Sequence, residues 1–150
     1  MSEKSSGDHA RYLEVIESAP FVDFSTIDKD GFPSTRLMMN LRNEGQFPAR
    51  GLYKDEKPLT VFLTTHRASE KMNEIRRDPK SSLYFFNPTT FGAVLLIGEV
   101  TVVTDEALRK EAWQKDWETH YSDPKDYVLL RFVPIKLKAS VGGATVAENL

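Results

Sequence analysis

The sequence predicts a mainly β fold in which antiparallel strands form a barrel or sandwich decorated by helices. Several short runs rich in β-branched and aromatic residues are separated by turn signals, as is typical of such folds. Two of the runs flank Asp28-Lys29-Asp30-Gly31, a tight-turn signal in which glycine tolerates a positive φ. Because only two helical segments interrupt the strands, the regular strand–helix alternation of a doubly wound parallel sheet is not expected.

The composition is that of an ordinary globular chain: 150 residues, 28% of them charged, a formal net charge of −2 and no cysteine. A chain of this length buries one core, so residues 1–150 are predicted to form one domain with flexible tails at 1–8 and 141–150. The absence of cysteine excludes disulfides, thiolate metal ligands and cysteine nucleophiles. Since both charge signs are interspersed, neither a nucleic acid nor a membrane is expected as a partner.

The apolar runs and the first residues indicate a cytoplasmic protein. The segment MSEKSSGDHARYLEV carries charges and lacks the apolar core of a signal peptide. The longest apolar run, FGAVLLIG, is far shorter than the roughly 20 residues that a membrane-spanning helix needs. No two histidines have the spacing of a helical metal site, so no metal is expected.

A helix and a β-hairpin are the first elements in chain order. Residues 8–18 place Tyr12, Val15 and Ile16 on one side of a short amphipathic helix, and residues 21–41 form the hairpin. Alternation in its second strand assigns Ser34, Arg36, Met38 and Asn40 to one face, and Thr35, Leu37, Met39 and Leu41 to the other.

The later elements alternate between strands and helices. Proline disfavours a helix at the residue before it, so the helix that begins at residue 67 ends at Asp78, before Pro79. The helix over residues 105–120 opens with Thr104 or Asp105 as its cap. Pro134 implies a bulge or an edge in the last strand. The predicted order is strand 58–65, helix 67–78, strands 80–87 and 93–104, helix 105–120 and strand 127–140.

The junction between the strand and helix around residue 66 is a candidate anion site. A helix N-terminus presents unpaired N–H groups and a partial positive charge. The hydroxyls of Thr64, Thr65 and Ser69 and the cations of Arg67 and Lys71 add further donors there. An ordinary cap by a hydroxyl residue fits the same spacing. Cations stabilise a helix near its C-terminus, however, so their position at this end favours an anion.

Arg36 is the second candidate, because it lies in an apolar strand beside Leu37, Met38 and Met39. A charged side chain in such a strand must either reach solvent or meet an anion. Two interpretations follow. The arginine extends to water from an edge strand, or it binds a phosphate in bidentate geometry alongside Lys71.

Three segments, in this order and spacing, resemble the pyridoxamine 5′-phosphate oxidase-related, FMN-binding split-barrel proteins, and especially their general stress protein 26-like branch. The segments are TIDKDGFPSTRLMM, LTVFLTTHRASEKMNEIRRDPKSSLYF and AVLLIGEVTVVTDEALRKEAW. The resemblance covers about residues 10–138. It implies an antiparallel split β-barrel, a homodimer with FMN at the subunit interface, and a flavin-dependent oxidoreductase of unknown substrate.

The resemblance also implies roles for particular residues. The strand segment 36–39 lies along the flavin, with Arg36 on the phosphate. Thr64 and Thr65, at the end of the strand over residues 58–65, contact the flavin. Ser69 and Lys71, at the start of the next helix, complete the phosphate site. The implied cofactor-binding residues are Arg36, Leu37, Met38, Met39, Thr64, Thr65, Ser69 and Lys71.

The chain departs from the family pattern at two positions. Glu70 stands where a basic residue often precedes the lysine, and Arg67 is a hypothetical replacement for that charge. Ala93 falls where a glutamine often begins the next long strand.

Trp113 and Trp117, spaced i and i+4 on the predicted helix over residues 105–120, either pack in the core or form a wall of the flavin pocket.

Two other function classes stay open. A weakened phosphate site is compatible with a non-catalytic flavin-binding or flavin-sensing stress protein, and a split-barrel relative can bind haem or a deazaflavin instead. Pyridoxamine phosphate itself is not the expected substrate. The oxidases continue with a segment that helps bind the substrate phosphate, whereas KASVGGATVAENL has no basic cluster for that purpose.

Overall fold

The computed structural model describes residues 5–48 and 51–150, with side chains from His9 onward, and it has one seven-stranded antiparallel sheet and three α-helices. The mainly β prediction is confirmed. The elements are α1 (Ser5–Ser18), β1 (Phe21–Ile27), β2 (Pro33–Met39), β3 (Val61–His66), α2 (Glu70–Arg77), β4 (Lys80–Asn87), β5 (Gly92–Val102), α3 (Glu106–Ala112), β6 (Tyr127–Val141) and β7 (Ala144–Asn149).

The sheet runs in the order β2-β1-β4-β5-β6-β3, with β7 paired to β6. The predicted hairpin is β1–β2, and its register places Phe24 opposite Arg36. In the turn, Gly31 adopts a φ of 87°, and the Asp28 carboxylate accepts hydrogen bonds from the backbone N–H groups of Asp30 and Phe32, each at 2.9 Å. The turn chemistry that the sequence indicates therefore fixes the strand register.

Strand β3 is buried on both faces and separates two apolar clusters. Leu63 packs in the larger cluster, which fills the space between the sheet and the helices α1 and α2. Phe62 packs on the other side with Trp117 and Leu129, beside the segment that contains α3. Side chains alternate along a strand, so Thr65 lies on the Leu63 side of β3.

The predicted flexible tail over 141–150 is instead largely a strand. Residues 144–149 form β7, which pairs with β6 after a turn at Gly142 and Gly143, whose φ angles are 61° and 80°. The small residues of this segment carry little strand propensity of their own, and the β6 edge supplies the pairing. Of the other predicted tail, residues 1–4 lie outside the described residues and residues 5–8 belong to α1.

The predicted helix over 105–120 is broken. Asp105 caps α3 as predicted, but α3 ends at Ala112, and Trp113 has an extended backbone with φ −62° and ψ 135°. A 3₁₀ helix, Lys115–Thr119, follows. The break lets the rings of Trp113 and Trp117 pack edge to face, with centroids 5.8 Å apart.

A β-bulge lies in the β5–β6 pair, where Gly98 is paired with Pro134 and Ile97 with Lys136. This confirms the prediction from Pro134. A Cβ on Gly98 would lie 2.1 Å from the backbone oxygen of Val133, which is far inside van der Waals contact.

We expect Gly98→Ala to lower the free energy of unfolding by about 2 kcal/mol or more, because the backbone of β6 must move away from the added methyl group. Urea denaturation measures the change. Gly45→Ala is the matched control: among the described residues, its Cβ would meet only the Asn43 side chain, at 3.3 Å. Equal stability of the two variants would contradict the clash.

No helix among the described residues is long and apolar enough to cross a bilayer.

Candidate functional site

Three of the predicted anion-site residues are in direct contact where β3 ends and α2 begins. The ammonium of Lys71 donates hydrogen bonds to Thr65 Oγ1 at 2.8 Å and to Ser69 Oγ at 2.7 Å. Thr65, Ser69 and Lys71 are named the Lys71 cluster below. Because an ammonium has three donors, one N–H of Lys71 is left over.

The N-terminus of α2 adds backbone donors to the Lys71 cluster. Ser69 occupies the N-cap position, but its side chain makes no capping hydrogen bond. The backbone N–H groups of Glu70 and Lys71 have no acceptor among the described residues, as expected for the first turn of a helix. The plain-cap interpretation of Ser69 is therefore wrong: its hydroxyl binds the lysine instead.

The electrostatic state of Lys71 favours a bound anion. Burial lowers the pKa of its ammonium below the ordinary value of 10.5, Arg36 lowers it further, and Glu74 acts in the opposite direction. A half-buried cation whose charge is disfavoured gains more from an anionic partner than an exposed lysine does.

Arg36 forms an internal ion pair. Its Nη2 donates to Glu74 Oε1 at 3.0 Å and to Ser34 Oγ at 3.0 Å. Its Nη1 donates to Thr26 Oγ1 at 2.8 Å and to the backbone oxygen of Phe24 at 3.3 Å. Both terminal nitrogens of the guanidinium are thus used within the chain, so bidentate capture of a phosphate would require them to change partners.

Glu74 is the residue that the sequence analysis missed. Only 6% of it is exposed, and its Oε1 also accepts a hydrogen bond from Thr26 Oγ1 at 2.5 Å. The available signal was its place in α2, beside the core residue Ile75 and three positions after Lys71. A carboxylate on the apolar side of a short helix needs a cation, and Arg36 is that cation.

The residues Arg36–Met39, named the β2 run below, divide between the two faces of the sheet, as alternation predicts. Met38 is buried in the larger core cluster. Leu37 points to the opposite face and is 65% exposed. Met39 shares the Leu37 face and is partly buried. Arg36 and Met38 are therefore on the side of the sheet that holds the core.

Thr64 lies on the other face of β3. Its hydroxyl is buried and has no hydrogen bond of normal geometry among the described residues. Tyr121 is its neighbour: burial raises the pKa of the Tyr121 hydroxyl, and the interaction with Thr64 offsets part of that rise. The strand end therefore presents a polar group on each of its faces.

Trp113 lines a cavity of about 540 Å³, whereas Trp117 is fully buried in the core. The two tryptophans thus take different roles. The cavity is within the range of small-molecule pockets, about 300–1,000 Å³. It is named the aromatic cavity below, and its lining comprises Glu106, Arg109, Lys110, Trp113, Glu118, Tyr121, Ser122, Pro124 and Tyr127.

Arg67 and Glu70 do not join the Lys71 cluster. Arg67 is 56% exposed in its side chain and donates to Asp126 Oδ1 at 3.1 Å. The other oxygen of Asp126 is 3.3 Å from His66 Nε2. Glu70 is exposed, and Ala93 lies on β5 opposite Phe86. Arg67 as a replacement cation stays a prediction, and it requires the arginine to leave Asp126.

Comparison with known proteins gives one family and several structural matches. The family model described as pyridoxamine 5′-phosphate oxidase matches residues 9–140. A search of curated proteins gives no match.

Solved structures match across nearly the whole chain at low identity. A Clostridium acetobutylicum protein described as related to general stress protein 26 of Bacillus subtilis has a TM-score of 0.74 at 20% identity, and covers 96% of this chain and 95% of its own. A Nostoc punctiforme protein described as pyridoxamine 5′-phosphate oxidase-related and FMN binding has a TM-score of 0.69 at 14% identity, covering 97% and 96%.

A third match is described as a heme binding protein from Mycobacterium smegmatis. Its TM-score is 0.66 at 14% identity, and the alignment covers 94% of this chain and 57% of that one. At such identities the structures establish the fold alone. The family model covers most of the sequence, and the chain therefore belongs to the pyridoxamine 5′-phosphate oxidase family.

Proposed function

We propose that the chain binds FMN, with the flavin phosphate on the Lys71 cluster, and that the bound flavin makes it an oxidoreductase. The observation that carries this proposal is the set of unused donors at the start of α2. They are one ammonium N–H of Lys71 and the backbone N–H groups of Glu70 and Lys71. They converge at a helix N-terminus, where a phosphate is stabilised.

A phosphate monoester fits these donors better than a carboxylate does. A phosphate carries roughly −1.5 to −2 charge near neutral pH and three acceptor oxygens. Three unused N–H donors and a half-buried cation match that charge and that number of acceptors. Family membership and the description of the Nostoc relative as FMN binding also favour a flavin phosphate over other anions.

For the rest of the cofactor, we assign the isoalloxazine contacts to the end of β3, the β2 run and Trp113. We assign the buried hydroxyl of Thr64, which would turn away from Tyr121, to a polar edge of the ring, and Trp113 to an aromatic wall in the aromatic cavity. When bound, the flavin supplies the redox chemistry, and the chain holds the phosphate, orients the ring and excludes water from it.

We also propose that the sheet closes into a split barrel and that two copies pair through its outer face. The edge strands β2 and β3 approach each other, since Arg42 Nε after β2 donates to the backbone oxygen of Thr60 before β3 at 2.9 Å. On the outer face, Phe21 is 54% exposed, and Leu37 and Tyr84 both pair with Asp23 in register. These exposed apolar side chains surround the partly buried Asp23, and an apolar patch of this kind marks an interaction surface.

We expect Leu37→Glu to convert a dimer into monomers, because it replaces an apolar side chain of this patch by a second carboxylate beside Asp23. Light scattering coupled to size exclusion measures the mass. Val102→Glu is the matched control: it adds the same charge at an exposed apolar residue near the end of β5. A dimer that survives Leu37→Glu, or a wild-type protein that is monomeric with FMN bound, would contradict this interface.

We expect the affinity for FMN to fall as the pH rises through the alkaline range. The pKa of Lys71 in the free protein lies below 10.5, and a bound dianion raises it, so binding takes up a proton between those two values. Affinity is constant between the second phosphate pKa, about 6, and the free-protein pKa of Lys71, and is lost above the latter by up to about tenfold per pH unit. Titration with FMN at several pH values measures this slope. In Lys71→Arg, whose guanidinium stays charged, the pH dependence should disappear. An unchanged slope in that variant would mean that another group causes the pH dependence.

The absorbance spectrum of the purified protein tests the proposed function. A flavin spectrum, present on purification or gained on adding FMN, is the expected result. Anaerobic addition of NADH or NADPH should then bleach that spectrum. A colourless protein whose spectrum and fluorescence with FMN equal the sum of the separate components would contradict the proposal.

A non-catalytic flavin-binding protein is the second candidate, and the pairing of Arg36 with Glu74 favours it, because it lowers the positive charge available to the phosphate. In that case the flavin binds but NAD(P)H does not reduce it. A haem-binding role, suggested by the description of the Mycobacterium relative, would give a Soret band on adding haem and no flavin spectrum.

A further inference from the structure

Glu74 is the strongest unexplained feature near the Lys71 cluster. A buried carboxylate lies beside a site whose other features attract an anion. Its Oε1 is 3.0 Å from Arg36 Nη2, and Glu74 also acts electrostatically on Lys71. A site built only for tight phosphate binding would gain from a neutral residue here. The carboxylate therefore needs an explanation beyond the packing of α2.

The ion pair changes the net charge that a ligand meets. Arg36 and Lys71 together carry two positive charges, and Glu74 removes one of them. In a partly buried site, unit charges several ångströms apart interact much more strongly than they do in bulk water. One buried carboxylate thus has enough electrostatic energy to set the affinity for a dianion.

We propose that Glu74 limits the affinity of the Lys71 cluster for a phosphate monoester, so that FMN is an exchangeable ligand of this protein. This inference rests on the proposed function and adds to it the residue that limits the preference for FMN over riboflavin. Glu74 acts through Arg36 and through the local charge. It is a positioning residue and not a contact of the flavin.

The decisive variant is Glu74→Gln, because an amide keeps the side-chain shape and the Oε1 acceptor for Arg36 and Thr26 while it removes the charge. We expect FMN to bind about tenfold more tightly, in line with the loss of one repulsive charge, and to dissociate correspondingly more slowly. Riboflavin, which lacks the phosphate, should bind as it does to the wild type. The salt dependence of FMN binding should also become steeper.

Glu70→Gln is the matched control, since it removes a carboxylate from the same helix at an exposed position next to Lys71. Its effect on FMN binding should be much smaller because water screens the exposed charge. All titrations are made near neutral pH, where the phosphate of FMN is mostly a dianion. A thermal melt of each variant checks that the fold is intact.

A second pair of variants keeps the inference testable if Glu74→Gln does not fold. Arg36→Gln alone lowers the net charge by one and should weaken FMN binding, whereas Arg36→Gln with Glu74→Gln restores the net charge and should return the affinity towards that of the wild type. A double variant no tighter than Arg36→Gln overturns the inference.

Failure of the inference and failure of the proposed function have different signatures. A wild type that prefers FMN over riboflavin, with Glu74→Gln folded and no tighter, overturns the role of Glu74 alone. A wild type that binds neither flavin overturns the proposed function and this inference with it.

Discussion

Replacing Arg36 by alanine is expected to lower the free energy of unfolding by about 3 kcal/mol, because it leaves the buried Glu74 carboxylate without its cation. Thr26 would retain a single hydrogen bond to that carboxylate, which does not balance a buried charge. The effect on folding therefore tests a structural role for this arginine, beside the solvent and phosphate roles that the sequence left open.

Urea denaturation of the ligand-free protein measures this change. Arg67→Ala is the matched control, because it also removes an arginine from an ion pair, but from an exposed one, and should cost less than about 1 kcal/mol. Adding Glu74→Gln to Arg36→Ala should recover part of the loss. Wild-type stability of Arg36→Ala would contradict the buried ion pair.

The second large effect is expected on ligand binding from Lys71→Met. This substitution keeps most of the apolar stem and removes the ammonium that binds Thr65 and Ser69. A charge-assisted hydrogen bond contributes about 1.5–3 kcal/mol, so the affinity for FMN should fall by roughly 10- to 150-fold. Riboflavin should lose little, since it has no phosphate. Stability should change little, because removing a half-buried charge offsets the loss of the hydrogen bonds to Thr65 and Ser69.

Parallel titrations of both flavins, followed by the quenching of flavin fluorescence, measure the change. Lys80→Met is the control, since this lysine is exposed at the start of β4. Equal losses of affinity for FMN and riboflavin in Lys71→Met would mean that the lysine acts on the fold or on the flavin ring. That result would contradict the assignment of the phosphate to the Lys71 cluster.

Local signals were sufficient for the hairpin and for the Lys71 cluster. The Asp28–Gly31 turn fixes the register of β1 and β2, and alternation then places Arg36 on the core side of the sheet. The spacing of Ser69 and Lys71 brings both to the first turn of α2 and to the end of β3. These features depend on residues close together in sequence, which is why periodicity and turn chemistry predict them.

Features that depend on distant partners were missed. Arg36 was assigned to solvent or to a ligand because nothing near it in sequence reveals Glu74, which lies 38 residues away. The break after α3 accompanies the edge-to-face packing of Trp113 and Trp117, and β7 pairs with the edge that β6 offers. Tertiary contacts therefore determine the partner of Arg36, and they override local propensity at the break after α3 and in β7.

The most direct test is the ratio of the affinities of the wild-type protein for FMN and for riboflavin. The two ligands share the ring system and differ in the phosphate that we assign to the Lys71 cluster. The expected result is that FMN binds at least about tenfold more tightly, the equivalent of one charge-assisted phosphate contact. Equal affinities, or no binding of FMN, would contradict the assignment of a flavin phosphate to this site.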